Sequence, residues 1–184
     1  MATFPSPFRH EGRTLIVHMT QTIAYNKALL LQADELLAQL SDVQLCAQRE
    51  LLFGGTIGQH MRHILEYYLQ LLKEQATGRI NYDRRVRDHG IEQQVSLARA
   101  ALRDCLERLH DLDTDRPLTL ESELPLEERR TTQQTSLLRE LTYVADHCVH
   151  HLAMVRIVVE QDLPEVGFPL ELGVAAATRN HRAR

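Results

Sequence analysis

Two histidines, His147 and His151, stand four residues apart in the apolar run LLRELTYVADHCVHHLAMVRIVVE. Residues i and i+4 lie on one face of a helix, about one turn apart, so both imidazoles can reach one metal ion without bending the backbone. A third histidine, His60 or His63, is available in the segment TIGQHMRHILEYYLQLL. Three neutral histidine nitrogens leave a divalent transition metal with an open coordination position, which is typical of a catalytic site.

The helical wheel tests which histidines face a core. In the segment that carries the pair, the apolar stripe consists of Leu137, Leu141, Val144, Cys148, Leu152, Val155 and Val159. His147 and His151 lie together on one flank of this stripe, whereas His150 points further towards solvent. In the other segment the wheel slightly favours His60 over His63 as the inward residue. Geometry alone therefore leaves the third ligand open.

Prolines and glycines divide the chain into four long proline-free stretches with apolar residues at helical period, at about 14–40, 56–77, 91–112 and 137–161. Thr56 is a predicted N-cap of the second stretch and Gly78 its predicted C′ residue. Helices of this length would be roughly 30 to 40 Å long, which suits a four-helix bundle. Residues 81–88, NYDRRVRD, predict a polar connection. The alternating residues between Pro117 and Gln134 predict an extended arm or a short hairpin before the last helix.

Three segments, TIGQHMRHILE, NYDRRVRD and DHCVHHLAMVRI, together resemble the DinB/YfiT-like metalloenzyme superfamily. Its members are four-helix bundles with one ligand histidine in an H-[IL]-x-[DE] context and two in H-x-x-x-H on the last helix. The resemblance implies His63, His147 and His151 as metal ligands, and places His60 where the family usually has an apolar residue.

The same resemblance covers about residues 14–162. It implies an all-α four-helix bundle in a single domain, 1–184, with a C-terminal tail at 163–184.

Several other polar residues are candidates for supporting roles. Glu66, Glu140 and Asp146 could accept the second N–H of a ligand histidine, although Asp146 points about 100° away from its neighbour His147 on the wheel. Cys148 lies on the apolar stripe, which predicts a buried structural cysteine.

A dense polar group is also present in the connection between the second and third stretches: Tyr82, Asp83, Arg84, Arg87 and Asp88. Its arginines could bind a substrate anion, but an ion-pair network that holds the connection in place is the favoured interpretation.

Composition excludes several classes of function. The net charge of −4 over 184 residues predicts no binding to nucleic acid. No apolar stretch approaches the roughly 20 residues that span a bilayer, which predicts no membrane insertion. The three cysteines are odd in number and lie in apolar helical patterns, which predicts no disulfide framework and a cytoplasmic location. No HExxH motif or glycine-rich phosphate loop is present.

The resemblance implies a metal-dependent transferase or isomerase that uses a low-molecular-weight thiol and acts on a small-molecule substrate. Imidazole ligands suit zinc or nickel. The first alternative is a metal-dependent hydrolase, which a carboxylate near the metal would favour, whereas a cationic groove would favour an anionic thiol. The second alternative is a non-catalytic, metal-binding stress-response homodimer, with Ile80 or Leu97 in its partner surface. Catalytic and cofactor-binding residues are not assigned by the sequence.

Overall fold

The computed structural model describes the backbone of residues 8–123 and 130–182, and the side chains of residues 17–123 and 130–181. The described chain is mostly helical with one small three-stranded sheet. Its helices are α1 (Phe8–Leu37), α2 (Asp42–Cys46), α3 (Ile57–Glu74), α4 (His89–Gln93), α5 (Val95–His110), α6 (Leu137–Asp162) and α7 (Ala176–Arg182). Its strands are β1 (Arg79–Ile80), β2 (Pro117–Glu123) and β3 (Arg130–Ser136), and short 3-10 turns lie at Glu50–Leu52, Gln75–Thr77 and Tyr82–Arg84.

The four longest helices pack against one another around the apolar core. Helices α1 and α3 each contact both α5 and α6. The residues at their contacts include fully buried Leu30, Leu36, Leu102, Leu141 and Leu152. These apolar positions recur at helical period in the sequence, so burying one face of each helix removes a continuous apolar surface from water.

The two helices that carry the candidate ligands begin at well-defined caps. Thr56 accepts a hydrogen bond from the backbone N–H of Gln59, and the Gln59 side chain accepts one from the backbone N–H of Thr56. Ser136 accepts a hydrogen bond from the backbone N–H of Arg139 at the start of α6. Gly78 follows the 3-10 turn after α3 with φ of +77°, a conformation that favours glycine. The prediction for Thr56 is therefore confirmed, whereas α3 itself ends at Glu74 and Gly78 ends the 3-10 turn that follows it.

The third predicted helix, at about 91–112, is two helices in the structure. The backbone of Gln94 is extended, with φ −131° and ψ 120°, and separates α4 from α5. The Asp42 side chain accepts the backbone N–H of Val95 at the start of α5. Helix α4 packs closely on α3, where a Cβ at Gly58 would lie only 2.0 Å from the carbonyl oxygen of Glu92. The chain changes direction at Gln94, directly after this close approach. The helical periodicity of the sequence did not show this break.

The expectation of an all-α chain is wrong in one respect, because a three-stranded sheet is present. Strands β2 and β3 form the antiparallel hairpin that was one of the two predictions for this segment. Strand β1 pairs with β2 in parallel, with Arg79 opposite Thr119 and Ile80 opposite Leu120. Ile80 is fully buried there, so it cannot form the partner surface suggested from the sequence, while Leu97 is exposed.

None of the helices in the described parts of the chain is both long and apolar enough to cross a membrane.

Candidate metal centre

The structure brings His63 of α3 together with His147 and His151 of α6. The ring centroid of His63 lies 4.9 Å from that of His147 and 4.6 Å from that of His151. The ring centroids of His147 and His151 are 4.6 Å apart. One nitrogen from each ring lies within 4.8 Å of the other two. The two helices pack against each other here, and each presents its histidines at the edge of the buried stripe. This is the set of three residues that the family resemblance implies, and its ability to bind metal remains a prediction.

The environment of the cluster favours neutral imidazoles. Burial, with a smaller contribution from neighbouring histidines, lowers the pKa of His63 to about 4 and that of His151 to about 3. Burial also lowers the pKa of His147, with a smaller contribution from His150. A histidine binds metal only in its neutral form. Because their pKa values are lowered, all three imidazoles are neutral, and so able to bind metal, at neutral pH.

His147 provides the observation that tests whether the cluster fits a metal ion. Its Nε2 atom is buried and has no hydrogen-bond partner among the described residues. A buried polar atom without a partner is costly, so native structures satisfy nearly all of them with protein, water or an ion. A cation held among these nitrogens would accept the Nε2 lone pair and remove that cost.

His60 lies next to the cluster, and its Nδ1 atom is 2.9 Å from Nδ1 of His151. At this distance one nitrogen donates and the other accepts. Metal-binding histidines usually donate their second N–H to an acceptor that holds the ring in one orientation and tautomer. His60 can be that acceptor for His151, which would leave Nε2 of His151 free to bind a cation. The sequence interpretation did not include His60 among the ligands. The structure shows in addition that His60 contacts the candidate ligand His151.

Arg85 places a positive charge beside the cluster. Its guanidinium donates to Nδ1 of His63 at 3.3 Å and to the carbonyl oxygen of Tyr82 at 3.0 Å. It also lies over the ring of Tyr67, 4.9 Å from the centroid, and its Nε is 3.4 Å from a carboxylate oxygen of Glu66. Sequence reasoning missed this role because Arg85 follows a 3-10 turn, and no periodicity relates that turn to α3.

The candidate carboxylates do not contact the three histidines. Glu66 is buried and accepts the backbone N–H of Asp88, and it pairs with Arg62 and Arg85. It therefore positions an arginine near the site and does not orient a ligand directly. Fully buried Glu140 accepts hydrogen bonds from the hydroxyls of Tyr82 and Thr135.

Asp146 is exposed, and Cys148 is fully buried. Burial raises the pKa of the Cys148 thiol to about 12, which agrees with the prediction of a structural cysteine.

The polar connection at 81–88 is held by ion pairs and caps, as the favoured interpretation predicted. Arg84 pairs with Glu123 of β2 at 3.0 Å, and Asp83 accepts the backbone N–H of Glu123. Asp88 caps α4 by accepting the N–H of Gly90. Arg87 is exposed and has no ion-pair partner among the residues that the structure describes.

A row of aromatic rings extends from the histidines towards the sheet. Tyr67 stacks on His147 with centroids 4.3 Å apart and on Tyr82 with centroids 5.0 Å apart. Tyr143 is tilted against both tyrosines. The tyrosines come from α3, the 81–88 connection and α6, so only the tertiary structure brings them together.

Comparison with protein families gives one match, in which the model of the DinB superfamily covers residues 31–155. This range contains the three clustered histidines, His60 and Arg85. Searches against curated proteins and against solved structures gave no match.

Proposed function

Because the chain belongs to the DinB superfamily, we propose that it binds a divalent transition metal, zinc or nickel, through His63, His147 and His151. We propose further that it is an enzyme that transfers or isomerises a small-molecule substrate with the help of a low-molecular-weight thiol. The observation that carries the metal proposal is the buried, unpartnered Nε2 of His147 within a cluster whose nitrogens lie within 4.8 Å of one another. The depressed pKa values of all three imidazoles support it.

The choice of a thiol rests on charge around the cluster. A metal ion bound there would favour the thiolate form of a small thiol at neutral pH. Arg85 adjoins His63, and Arg62 lines a cavity of about 200 Å³ together with His60, His63 and His151. Both arginines also pair with carboxylates, Arg85 with Glu66 and Arg62 with Glu92, so what they offer an anionic thiol is their remaining N–H donors. The same pairing stabilises the ionised form of these carboxylates and lowers the basicity that they would need to activate water.

The runner-up, a hydrolase, needs a carboxylate close to the reacting water. Among the described residues no carboxylate is hydrogen bonded to His63, His147 or His151. Glu66 is the acidic residue that is linked to the site, and its two oxygens face Arg62, Arg85 and the N–H of Asp88. This arrangement supports thiol-dependent transfer over hydrolysis.

Arg85 is held in a way that suits an anion-binding group. Glu66, the carbonyl oxygen of Tyr82 and the face of Tyr67 each contact its guanidinium. A guanidinium fixed on several sides loses little side-chain entropy when it binds a carboxylate of a thiol compound. We assign it the role of orienting the thiol, with His60 orienting His151.

The wider proposals follow from the sequence and the family. The four long helices would form the family's four-helix bundle, and the chain would fold as one domain. The protein would act in the cytoplasm, where its cysteines stay reduced. A homodimer is proposed on the exposed side of the helices, which includes Leu97.

The experiment is elemental analysis of the purified protein, followed by thiol titration of a cobalt-substituted sample. We expect about one metal ion per chain and a change in the visible spectrum when a small thiol with a carboxylate is added. Arg85→Gln should weaken thiol binding roughly 10-fold, while Arg87→Gln, in the same connection, should leave it unchanged.

Two results would contradict the proposal. Absence of bound metal after reconstitution would remove the metal site. A cobalt spectrum that responds neither to any thiol nor to azide would indicate a closed site, and would favour the non-catalytic alternative.

A further inference from the structure

A second cavity, of about 270 Å³, lies between the aromatic row and the β-hairpin. Three tyrosines form one part of its lining: Tyr67, Tyr82 and Tyr143. The hairpin side includes Leu120 and Ser122 of β2. The cavity shares no lining residue with the smaller one beside His60 and Arg62. Its size is at the lower end for ligand pockets, which suits a compound with a single ring.

The three tyrosine rings form a concave aromatic surface. The rings of Tyr67 and Tyr82 are nearly parallel, with an interplanar angle of 12°, and Tyr143 is tilted by 52° against Tyr82 at a centroid distance of 5.6 Å. Aromatic rings pack best with other planar rings in offset or tilted arrangements of this spacing. Tyr82 is anchored from behind, because its hydroxyl donates to the buried carboxylate of Glu140. This concave aromatic surface is therefore preorganised for a planar ligand.

The charges of the lining residues determine which planar ligands the cavity would favour. Glu121 pairs with Arg79 at 2.8 Å, and Glu123 pairs with Arg84 at 3.0 Å and with Arg130 at 3.9 Å, so these two carboxylates are neutralised. Asp83 also lines the cavity, and in the described part of the chain it has no ion-pair partner.

Arg139 is the basic residue of the lining. It donates to Glu140 at 3.1 Å and lies over the ring of Tyr143 at 5.3 Å. Asp83 is thus the carboxylate of the lining without an ion-pair partner in the described part of the chain, and tyrosine faces also attract cations.

The cavity begins one ring away from the histidine cluster. Tyr67 lines it and also contacts His147 and His63, with centroid distances of 4.3 and 4.8 Å. A ligand in the tyrosine cavity would therefore lie beside the same cluster.

We propose that the tyrosine cavity binds a ligand in which a planar aromatic ring carries an aliphatic amine, protonated at neutral pH. The ring contacts Tyr67, Tyr82 and Tyr143, and the ammonium group pairs with Asp83. This assignment stands on the cavity alone and does not depend on the proposed function.

The test uses three small probes of matched size with the intact protein: benzylamine, cyclohexylmethylamine and benzyl alcohol. The second lacks the planar ring and the third lacks the charge. Saturation-transfer NMR and calorimetry should show benzylamine binding with a Kd of about 1 mM, as expected for a ligand of this size. The other two should bind at least about threefold more weakly. Equal binding of all three probes, or no binding of benzylamine, would overturn the proposal.

Two variants and one control variant test where benzylamine binds. Ser122→Trp fills the cavity from β2 and should abolish benzylamine binding. Thr132→Trp, at an exposed position on β3 that does not line the cavity, should retain it. Asp83→Asn keeps an acceptor for the N–H of Glu123 and should remove the preference for benzylamine over benzyl alcohol. Circular dichroism verifies that each variant is folded. Unchanged benzylamine binding in Ser122→Trp would place the amine elsewhere and contradict the assignment.

A third variant separates this inference from the proposed function. His63→Ala should lose metal and keep benzylamine binding, because His63 does not line the tyrosine cavity. Metal binding without amine binding would refute the cavity assignment only. Amine binding by a protein that takes up no metal would refute the proposed function and leave the cavity as a binding site.

Discussion

At the scale of single residues, His60 and His63 lie one turn apart on α3 and contact the same partner, His151. His63 also contacts His147, and His63, His147 and His151 form the nitrogen cluster, whereas His60 contacts His151 through its Nδ1 atom. Their expected contributions to metal binding therefore differ in kind. We expect His63 to be a ligand and His60 to hold the ligand His151 in position.

The first prediction is that His63→Ala removes most of the bound metal, whereas His60→Ala lowers the metal affinity roughly 10-fold and keeps the stoichiometry at saturating metal. Competition with a chelator gives the affinity, and elemental analysis gives the stoichiometry. His18→Ala, at an exposed position of α1, is the control and should match the wild type. Loss of stoichiometry in His60→Ala with retention in His63→Ala would move the site to His60.

The second prediction concerns pH and the chelated protein. Burial lowers the pKa of His63 to about 4 and that of His151 to about 3, from a value of 6.5. Since both folded pKa values lie below the unfolded one, the unfolded chain binds more protons as the pH falls below about 6.5. The free energy of unfolding should therefore decrease as the pH falls from about 6.5 through the folded pKa values of His63, about 4, and His151, about 3. Protons should displace metal in the same direction, because only neutral imidazole binds it.

Thermal melts in the presence of a chelator measure this effect. His151→Gln should show a smaller drop in melting midpoint between pH 7 and pH 4 than the wild type, because it lacks one group whose protonation opposes folding. His18→Gln, at an exposed position of α1, serves as the control and should follow the wild type. The same drop in His151→Gln as in the wild type would show that His151 does not resist protonation in the folded chain.

At the scale of elements, the position of α4 depends on one glycine of α3. The backbone carbonyl of Glu92 approaches Gly58 so closely that no Cβ can fit there. Glu92 in turn pairs with Arg62 at 2.7 Å, and Arg62 lines the cavity next to the histidines. The close packing of α3 and α4 thus supports one wall of the candidate metal centre.

The third prediction is that Gly58→Ala lowers the free energy of unfolding by about 1–3 kcal/mol, because backbone must move to admit the new methyl group. Urea unfolding followed by circular dichroism gives the value. Gly167→Ala is the matched control, since its Cβ would meet only the end of the Gln39 side chain at 3.3 Å, and it should cost less than about 1 kcal/mol. Equal stability of Gly58→Ala and the wild type would mean that α4 packs less tightly on α3.

At the scale of the whole molecule, the core does not depend on the candidate metal centre. The largest fully buried side chains include Tyr68, Met19, Leu30 and Leu36, and they lie on helices that pack through apolar faces. The hydroxyl of Tyr68 donates to Asn26, whose amide donates to the carbonyl oxygen of Leu141, so a buried polar network also links α1, α3 and α6. These interactions hold the helices together without a cation.

The fourth prediction is that the chelated protein keeps its helical circular dichroism and melts cooperatively. The midpoint should fall modestly, because a ligand that binds only the folded state is removed. His63→Ala in the presence and absence of chelator is the control, since chelation should not shift its midpoint. Collapse of the helical signal on chelation would instead make the metal a structural element, as in small zinc domains.

The sequence by itself determined the features that depend on neighbours along the chain. The helical period located α1, α3 and α6 to within a few residues, and Thr56 and Gly78 marked the limits of the second stretch. The four-residue spacing put His147 and His151 on one face, because i and i+4 are adjacent on any helix. Membership of the DinB superfamily, together with His63 as the third histidine, was readable from short segments around these residues.

Tertiary structure alone decided what depends on contacts between distant segments. The wheel slightly favoured His60 over His63, because the face of one helix does not show where the neighbouring helix places its own histidines. The break at Gln94, the parallel pairing of β1 with β2 and the approach of Arg85 to His63 likewise arise from packing between elements. Such contacts leave no period in the sequence, since each one joins residues whose separation along the chain is set by the fold.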